Sequence, residues 1–568
     1  MHPADRDDTT RYLCAAAHLD DDFADDAIRE FLVEPTRAVP PTPGVRAGAV
    51  LAEAVAARAR RKIRDGVLLA LLVFALFLFS GTVLIMWVVV AVGVAMGGAV
   101  AKARADSGAL GAVVERADLM RRLIPMLAVL AVGGALAFAV VEYLGGSSSD
   151  LEADADPAAT VLAIFLVLAL AAVLVIDELI VWHHLNNRFG RGRIVPDVWP
   201  DQLNSQVRGV YFAGSGRFLA RLSMLVGSRR DAAAPARIGE ANGDSPPAAP
   251  VVVARGYNMF VGAGSEHEPW SLVLPLKPGS EGGVVTKLTA DLLYRRVGAE
   301  LDRLRTATSL SPGRRFASLT VTEQIVVAAE ELIDHDDEAA QDFLAGPAGV
   351  PYPMLRGHRV RELRDQPLEW ARYYLCCQLE TWDRDFVVSA FLHLAVDDTT
   401  LYIEWTPCVL PPIRSAYRGI DSLSDSPWPP IRRAVVNLIG LPATAPRRLA
   451  RFVARIKPPK RRRGTVSPDM YGVRYSLREL AADVDMHNYF QLVDRERYLK
   501  VLESRLIPAI SDVMREAGYE VARLEEHAAV VSNSNTYINA TTVSAGVIGG
   551  RGNRAASPPA KAAATKAP

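Results

Sequence analysis

Few residues in this 568-residue chain stand in arrangements that suit chemistry. Asp177 and Glu178, followed by His183 and His184, set two carboxylates and two imidazoles one or two turns apart on one expected helix. That mix suits a transition metal, although His-His after an apolar stretch is not a ligand set by itself. The plainer reading is an interfacial acid pair, Asp177 and Glu178, neutralised by Arg121 or Arg122. Glu380, Asp383, Asp385 and Glu404 gather with Trp382, Trp405 and His393 around a hairpin expected over 386–396 and 401–409. Paired carboxylates beside aromatic rings can serve acid–base catalysis, and equally can be ordinary hairpin edges. Gly262-Ala263-Gly264-Ser265-Glu266-His267 begins like a dinucleotide loop but lacks the third glycine, so a turn between 259–261 and 270–276 accounts for it better.

The sequence has no phosphate-binding P-loop, no Gly-x-Ser-x-Gly elbow, no His-Glu-x-x-His helix and no kinase catalytic loop. Cys376 and Cys377 are adjacent, unlike the Cys-x-x-Cys of zinc or redox sites. No catalytic residue, metal or cofactor is therefore expected.

One segment stands out for its charge. Over 446–457, Leu449, Phe452, Val453 and Ile456 share a helical face, and Arg447, Arg448, Arg451, Arg455 and Lys457 occupy the remainder. Lys460, Arg461, Arg462 and Arg463 follow. An apolar stripe edged by cations suits a helix lying in an anionic membrane surface. It also suits a helix packed on a core with its basic face solvated. Nucleic acid is disfavoured, because no aromatic residues interleave with the cations.

The elements that must position these residues begin with apolar blocks at 67–100, 124–144 and 160–182. The first has thirty-four residues without a charge. As one helix it would run about 51 Å, against a hydrocarbon core of ~30 Å. Ser80-Gly81-Thr82 near its middle suggests a hairpin of two arms. Arg58, Arg60, Arg61, Lys62 and Arg64 precede that block; Lys102, Arg104, Arg116, Arg121 and Arg122 follow it. Arg188, Arg191 and Arg193 follow the last block, whereas 145–159 has four acids and no Lys or Arg. Only a hairpin puts every basic flank in the cytoplasm. The expected fold class is thus a membrane α-helical module of four segments, the first two a hairpin, plus a cytosolic α+β domain.

The layout follows: an acidic, Pro-rich tail (1–45), a basic juxtamembrane helix (46–66), the hairpin (67–100), a cytosolic loop (101–123), a span (124–144), an acidic external loop (145–159) and a second span (160–182). A juxtamembrane segment and linker (183–249), the α+β domain (250–531) and a polar tail (532–568) complete it. Within the domain, strands are expected at 251–254, 270–276 and 519–524, and amphipathic helices at 288–304, 322–343 and 499–514. Lys plus Arg equals Asp plus Glu at 64 each, so net charge selects no polyanionic partner. Four cysteines are too few for a disulfide framework and suit a reducing compartment. With no secretory leader visible and no buried mid-membrane charges to carry ions, the expected protein is a multi-pass, non-enzymatic scaffold or sensor in the cell membrane, its termini cytoplasmic. The alternatives are a membrane-tethered enzyme with its site at the hairpin and a small-solute transporter. Expected partners are the bilayer, anionic lipids and a cytosolic protein.

Overall fold

The computed structural model describes residues 8–33, 37–38, 40–79, 87–93, 157–193, 195, 249–279, 285–310, 316–334, 342–344, 351–454 and 468–526. The helices around the sheet and the candidate sites include α1 (Asp8–Leu19), α2 (Asp21–Phe31), α3 (Ala47–Leu78), α4 (Pro157–Phe189), α5 (Ala290–Asp302), α6 (Trp428–Ile439), α7 (Leu441–Val453), α8 (Leu477–Ala481) and α9 (Tyr489–Glu516). The strands are β1 (Ala249–Ala254), β2 (Ser265–Glu266), β3 (Trp270–Pro275), β4 (Leu319–Ala328), β5 (Met354–Leu355), β6 (Ala371–Thr381), β7 (Phe386–Val396) and β8 (Thr400–Leu410).

The strands form one mixed sheet in the order β2-β8-β7-β6-β4-β1-β5, with β3 also paired to β8. β1 and β4 run parallel, and the other ladders are antiparallel. β7 is a nearly unbroken apolar run buried along most of its length, as a central strand covered on both faces must be. On one face, Leu293, Tyr294, Val297 and Leu301 of α5 and Leu502, Leu506 and Ile510 of α9 meet Tyr373, Leu375, Leu392, Leu394, Ile403 and Trp405. Each such fully buried aliphatic or aromatic side chain stabilises the fold by roughly 1.5–3 kcal/mol. On the other face the cover is smaller, with Phe260 set against Tyr374, Cys376, Phe391 and Cys408.

The caps explain where the helices begin and stop. Thr289 caps α5 and Asn488 caps α9 by accepting from Leu292 N–H and Gln491 N–H. α9 ends in a Schellman motif: Gly518 takes φ +84°, Tyr519 N–H reaches Met514 O and Gly518 N–H reaches Arg515 O.

An α+β fold is present, but the four-segment membrane module is overturned. Among the described residues a single stretch, Val161–Phe189, is long and apolar enough to cross a bilayer. The block at 67–100 does not open with a span of its own. Its first part is the end of α3, one continuous helix whose first half is basic. The twelve apolar residues from Val67 to Leu78 reach only ~18 Å, well short of a ~30 Å hydrocarbon core. The proposed turn at Ser80-Gly81-Thr82 and the span at 124–144 lie outside the described residues.

Three further expectations change. Of the helix expected over 322–343, residues 322–328 belong to strand β4, because Ile325, Val326 and Val327 are β-branched and bury into the sheet; Ala329–Asp334 is helical, and 335–341 lie outside the described residues. The strand expected at 519–524 contributes only an isolated bridge between Tyr519 and Pro278. The acidic N-terminal stretch, expected as a solvated tail with a short helix over 20–33, folds as α1 and α2, and α2 is that helix. Leu13, Phe23, Ile28 and Phe31 bury against Val50, Leu51 and Val55 of α3 and Val181, Leu185 and Phe189 of α4. Ile413, Tyr417 and Leu477 join this same cluster, so the four-helix collar is fused to the sheet domain.

Candidate functional site

The acid pair Asp177–Glu178 is the best place to begin, because α4 changes character there. Asp177 is buried and accepts from Arg60 Nη1 at 2.5 Å and Arg64 Nη1 at 2.9 Å, both on α3. One step away, buried Asp65 accepts from Arg64 Nε at 2.9 Å and Arg448 Nη1 at 2.7 Å. Glu178 faces the other way, toward Arg433 at 3.4 Å and Asn437 Nδ2 at 3.1 Å on α6. The arginines that meet the pair in the structure come from α3 and α6. Arg121 and Arg122 lie outside the described residues.

α6 and α7 form a helical hairpin that turns at Gly440. α6 runs along α4, with Ala434 in one cluster with Leu170 and Leu174. α7 returns along α3, placing Arg448 on Asp65 and the Phe452 ring over Gly66. A Cβ at Gly66 would stand 2.8 Å from that ring, so the glycine makes the close approach possible. The basic residues of α7 are largely committed to protein: Arg451 pairs with Asp21, and Arg447 lies 3.6 Å from Asp22. Leu449, Phe452 and Val453 remain exposed. Arg455, Lys457, Lys460, Arg461, Arg462 and Arg463 lie outside the described residues.

One constellation was missed in the sequence. His18 at the end of α1, Glu53 in α3 and His184 in α4 come together from positions far apart in the chain. Both imidazole Nε2 atoms approach the same oxygen, Glu53 Oε2, at 2.9 Å from His18 and 3.0 Å from His184. Burial pushes Glu53 upward, but the two imidazoles outweigh it and hold the carboxyl down at about 2. His18 is pushed below its ordinary value by burial, against the pull of Glu53. His183, the neighbour in the expected set, instead meets Asn187 Nδ2 at 2.9 Å on the exposed side. The signal available in the sequence was Glu53 itself, a lone acid in the otherwise neutral and basic run 46–64.

The hairpin carboxylates do not converge. Asp385 pairs with Arg418 at 3.0 Å and accepts from Gln491 Nε2 at 2.8 Å. Glu404 pairs with Arg372 at 3.1 Å, Glu380 with Arg384 at 2.9 Å, and buried His393 uses Nδ1 on Tyr373 O. A pocket of about 350 Å³ lies instead between β2, the end of β8 and the start of α9. Ser265, His267, Val409, Met486, Tyr489 and Arg495 help line it. His267 Nε2 is 3.0 Å from Glu496 Oε1, and Arg495 reaches that same oxygen at 2.5 Å.

The Gly262–Gly264 loop has an internal anion. Glu479 Oε1 accepts from Gly262 N–H and Gly264 N–H, each at 2.9 Å, while Oε2 accepts from Ser476 N–H. Both glycines sit at φ +99° and +90°, and an added Cβ would strike Pro41 O or Val409 O. The glycines therefore serve a tight turn filled by Glu479, which leaves no cradle for a nucleotide phosphate. The expected partner strands differ too: β2 and β3 both pair with β8.

Residues 269–551, just under half of the chain, match the family model described as AbeC-like domain. That stretch begins at β3, so it leaves out β1, the glycine loop and the helices α1 to α4. No curated protein matches the chain, and no solved structure does.

Proposed function

We propose that the chain is a membrane-anchored, non-enzymatic binding protein, a scaffold or sensor whose α+β domain works at the inner membrane surface. The carrying observation is the division along α4. Val161, Leu162, Phe165 and Leu168 stand exposed on that helix, as do Phe74, Leu76 and Phe77 at the end of α3. At Asp177 and Glu178 the apolar run is interrupted, and the acids are met by Arg60, Arg64 and Arg433. Trp182 follows, its indole N–H on Ser424 O, then Arg188, Arg191 and Arg193. An apolar belt left uncovered next to a paired-charge boundary, an indole and arginines is the pattern of a helix entering a bilayer from its cytoplasmic side. In water, so large an apolar patch would drive association.

The hairpin of α6 and α7 lies beside this boundary, with Leu449, Phe452 and Val453 available to the headgroup region. The anionic-lipid reading loses part of its support, because Arg448 and Arg451 are engaged with Asp65 and Asp21. A non-enzymatic role is favoured by the ion pairs of Glu380, Asp385 and Glu404, none of which lines the pocket described above. That pocket is the proposed seat of a ligand or of a cytosolic protein's side chain.

Alkaline carbonate extraction of membranes from cells expressing the full chain tests the anchor. Retention in the pellet is expected, and release of the wild type into the supernatant would end the reading. Phe165→Arg with Leu168→Arg should weaken retention, since each cation at mid-bilayer costs about 2.5–3.5 kcal/mol on insertion scales. Turnover by the purified chain that is abolished by His267→Ala would replace the binding role with catalysis.

A further inference from the structure

We propose that His18, Glu53 and His184 bind one divalent transition-metal ion of the zinc class, which ties α1 and α3 to the cytoplasmic end of α4. Two imidazole nitrogens and a carboxylate oxygen form a ligand set that such ions favour, with further positions left for water. Both Nε2 atoms stand 2.9–3.0 Å from one Glu53 oxygen. Ligands about 2.0–2.1 Å from a shared ion stand roughly 3 Å apart, so a small shift of the rings would admit it. The site is built rather than superficial. His18 is 6% exposed and Glu53 12%, while His184, at 26%, leaves an approach from solvent.

The surroundings set the affinity. Arg188 lies 3.7 Å from the other Glu53 oxygen and is itself largely exposed, so it can withdraw as a cation arrives. His18 Nδ1 is buried and without a partner among the described residues. Among the described residues no outer carboxylate orients the His18 imidazole, and lacking such a partner costs about 10–100-fold in affinity. The second candidate, His267 with Glu268 and Glu496, is weaker, because Arg495 already occupies the oxygen that faces His267.

The proposal does not depend on the membrane reading: it needs only the fold of α1, α3 and α4. The test uses the full chain, purified and stripped with a chelator, then titrated with Zn²⁺ against a chromophoric competitor. One equivalent is expected for the wild type. His184→Ala and Glu53→Gln should each weaken binding by at least about 10-fold, and His267→Ala should leave it unchanged. No binding by the wild type, unchanged binding in His184→Ala, or loss on His267→Ala would overturn the assignment. Co²⁺ loaded into the wild type gives a readout independent of any variant's folding. Visible ligand-field bands without a thiolate charge-transfer band are expected, and a thiolate band would overturn the assignment, since it would place the ion on a cysteine.

Discussion

Glu479 shows how one side chain decides what a loop is for. Two glycine amides converge on a single buried oxygen, and the sequence around them reads like the start of a nucleotide cradle until that carboxylate is placed. Glu479→Ala strips a partner from three backbone N–H groups at once. These donors are only part-buried, so at the low end of roughly 1–3 kcal/mol for each donor left unmade, a loss of about 3 kcal/mol is expected in denaturant melts of the full chain. Tyr294 tests the same principle on the sheet. The β6–β7 ladder ends at Leu375 and Leu392, so Leu394 has no partner from β6. The Tyr294 hydroxyl supplies both halves, accepting from Leu394 N–H at 2.6 Å and donating to Leu394 O at 3.2 Å. Tyr294→Phe should therefore cost about 1–3 kcal/mol without altering the fold's circular-dichroism spectrum. Nothing in the residue types announced either contact, because both depend on segments more than ninety residues apart. Acid should act through Glu496 as well. Burial pushes its carboxyl up, but His267 and Arg495 outweigh that and hold it at about 2, below the ordinary 4.5. A carboxylate depressed on folding contributes stability that is complete above pH 4.5 and declines as pH falls toward 2. Melts of Glu496→Gln should accordingly lose less stability than the wild type over that interval.

At the scale of elements, legibility followed locality. The β7–β8 hairpin, α5 and α9 were readable because their apolar periodicity and stop signals lie within a few residues of one another. β4 was misread because Thr322–Ala328 is equally apolar at strand and helix spacing, and only its two neighbours in the sheet decide. α7 was legible as an amphipathic helix, although its cations proved to be spent on acids of α2 and α3. This alters what its membrane contact should look like. If the exposed apolar edge carries it, then in the full chain anchored in lipid nanodiscs Leu449→Gln with Val453→Gln should reduce binding of α7 to the bilayer surface, read as its hydrogen-exchange protection, more than Arg447→Gln does. The salt dependence should be shallow, since Arg448 and Arg451 already have carboxylate partners. A steep salt dependence with normal binding by the Leu449 and Val453 variant would instead assign the contact to the basic segment that follows.

Across the whole molecule, the reading of the first forty-five residues as a tail has the largest consequence. Composition suggested it, since ten acids and five prolines are spread through the stretch. The apolar residues between them are nevertheless the ones that close the collar. Arg58 pairs with Asp25, and Arg61 meets Asp21 at 2.7 Å and donates to Ala17 O at 2.8 Å, so both basic side chains of α3 are buried beneath α1 and α2. A dispensable tail and a structural cap predict different fates for a chain lacking residues 1–45. Without the cap, Val50, Leu51 and Val55 lose their apolar cover, and Arg58 and Arg61 lose their carboxylates together. Uncompensated apolar area and unpaired guanidinium groups both favour local opening of α3. Trypsin should therefore cut after Arg58 or Arg61 early in the truncated chain, while the full chain resists at both sites. Mass spectrometry of a timed digest reads this directly. Equal resistance of the two chains at these arginines would return the segment to the status of a tail and detach it from the fold.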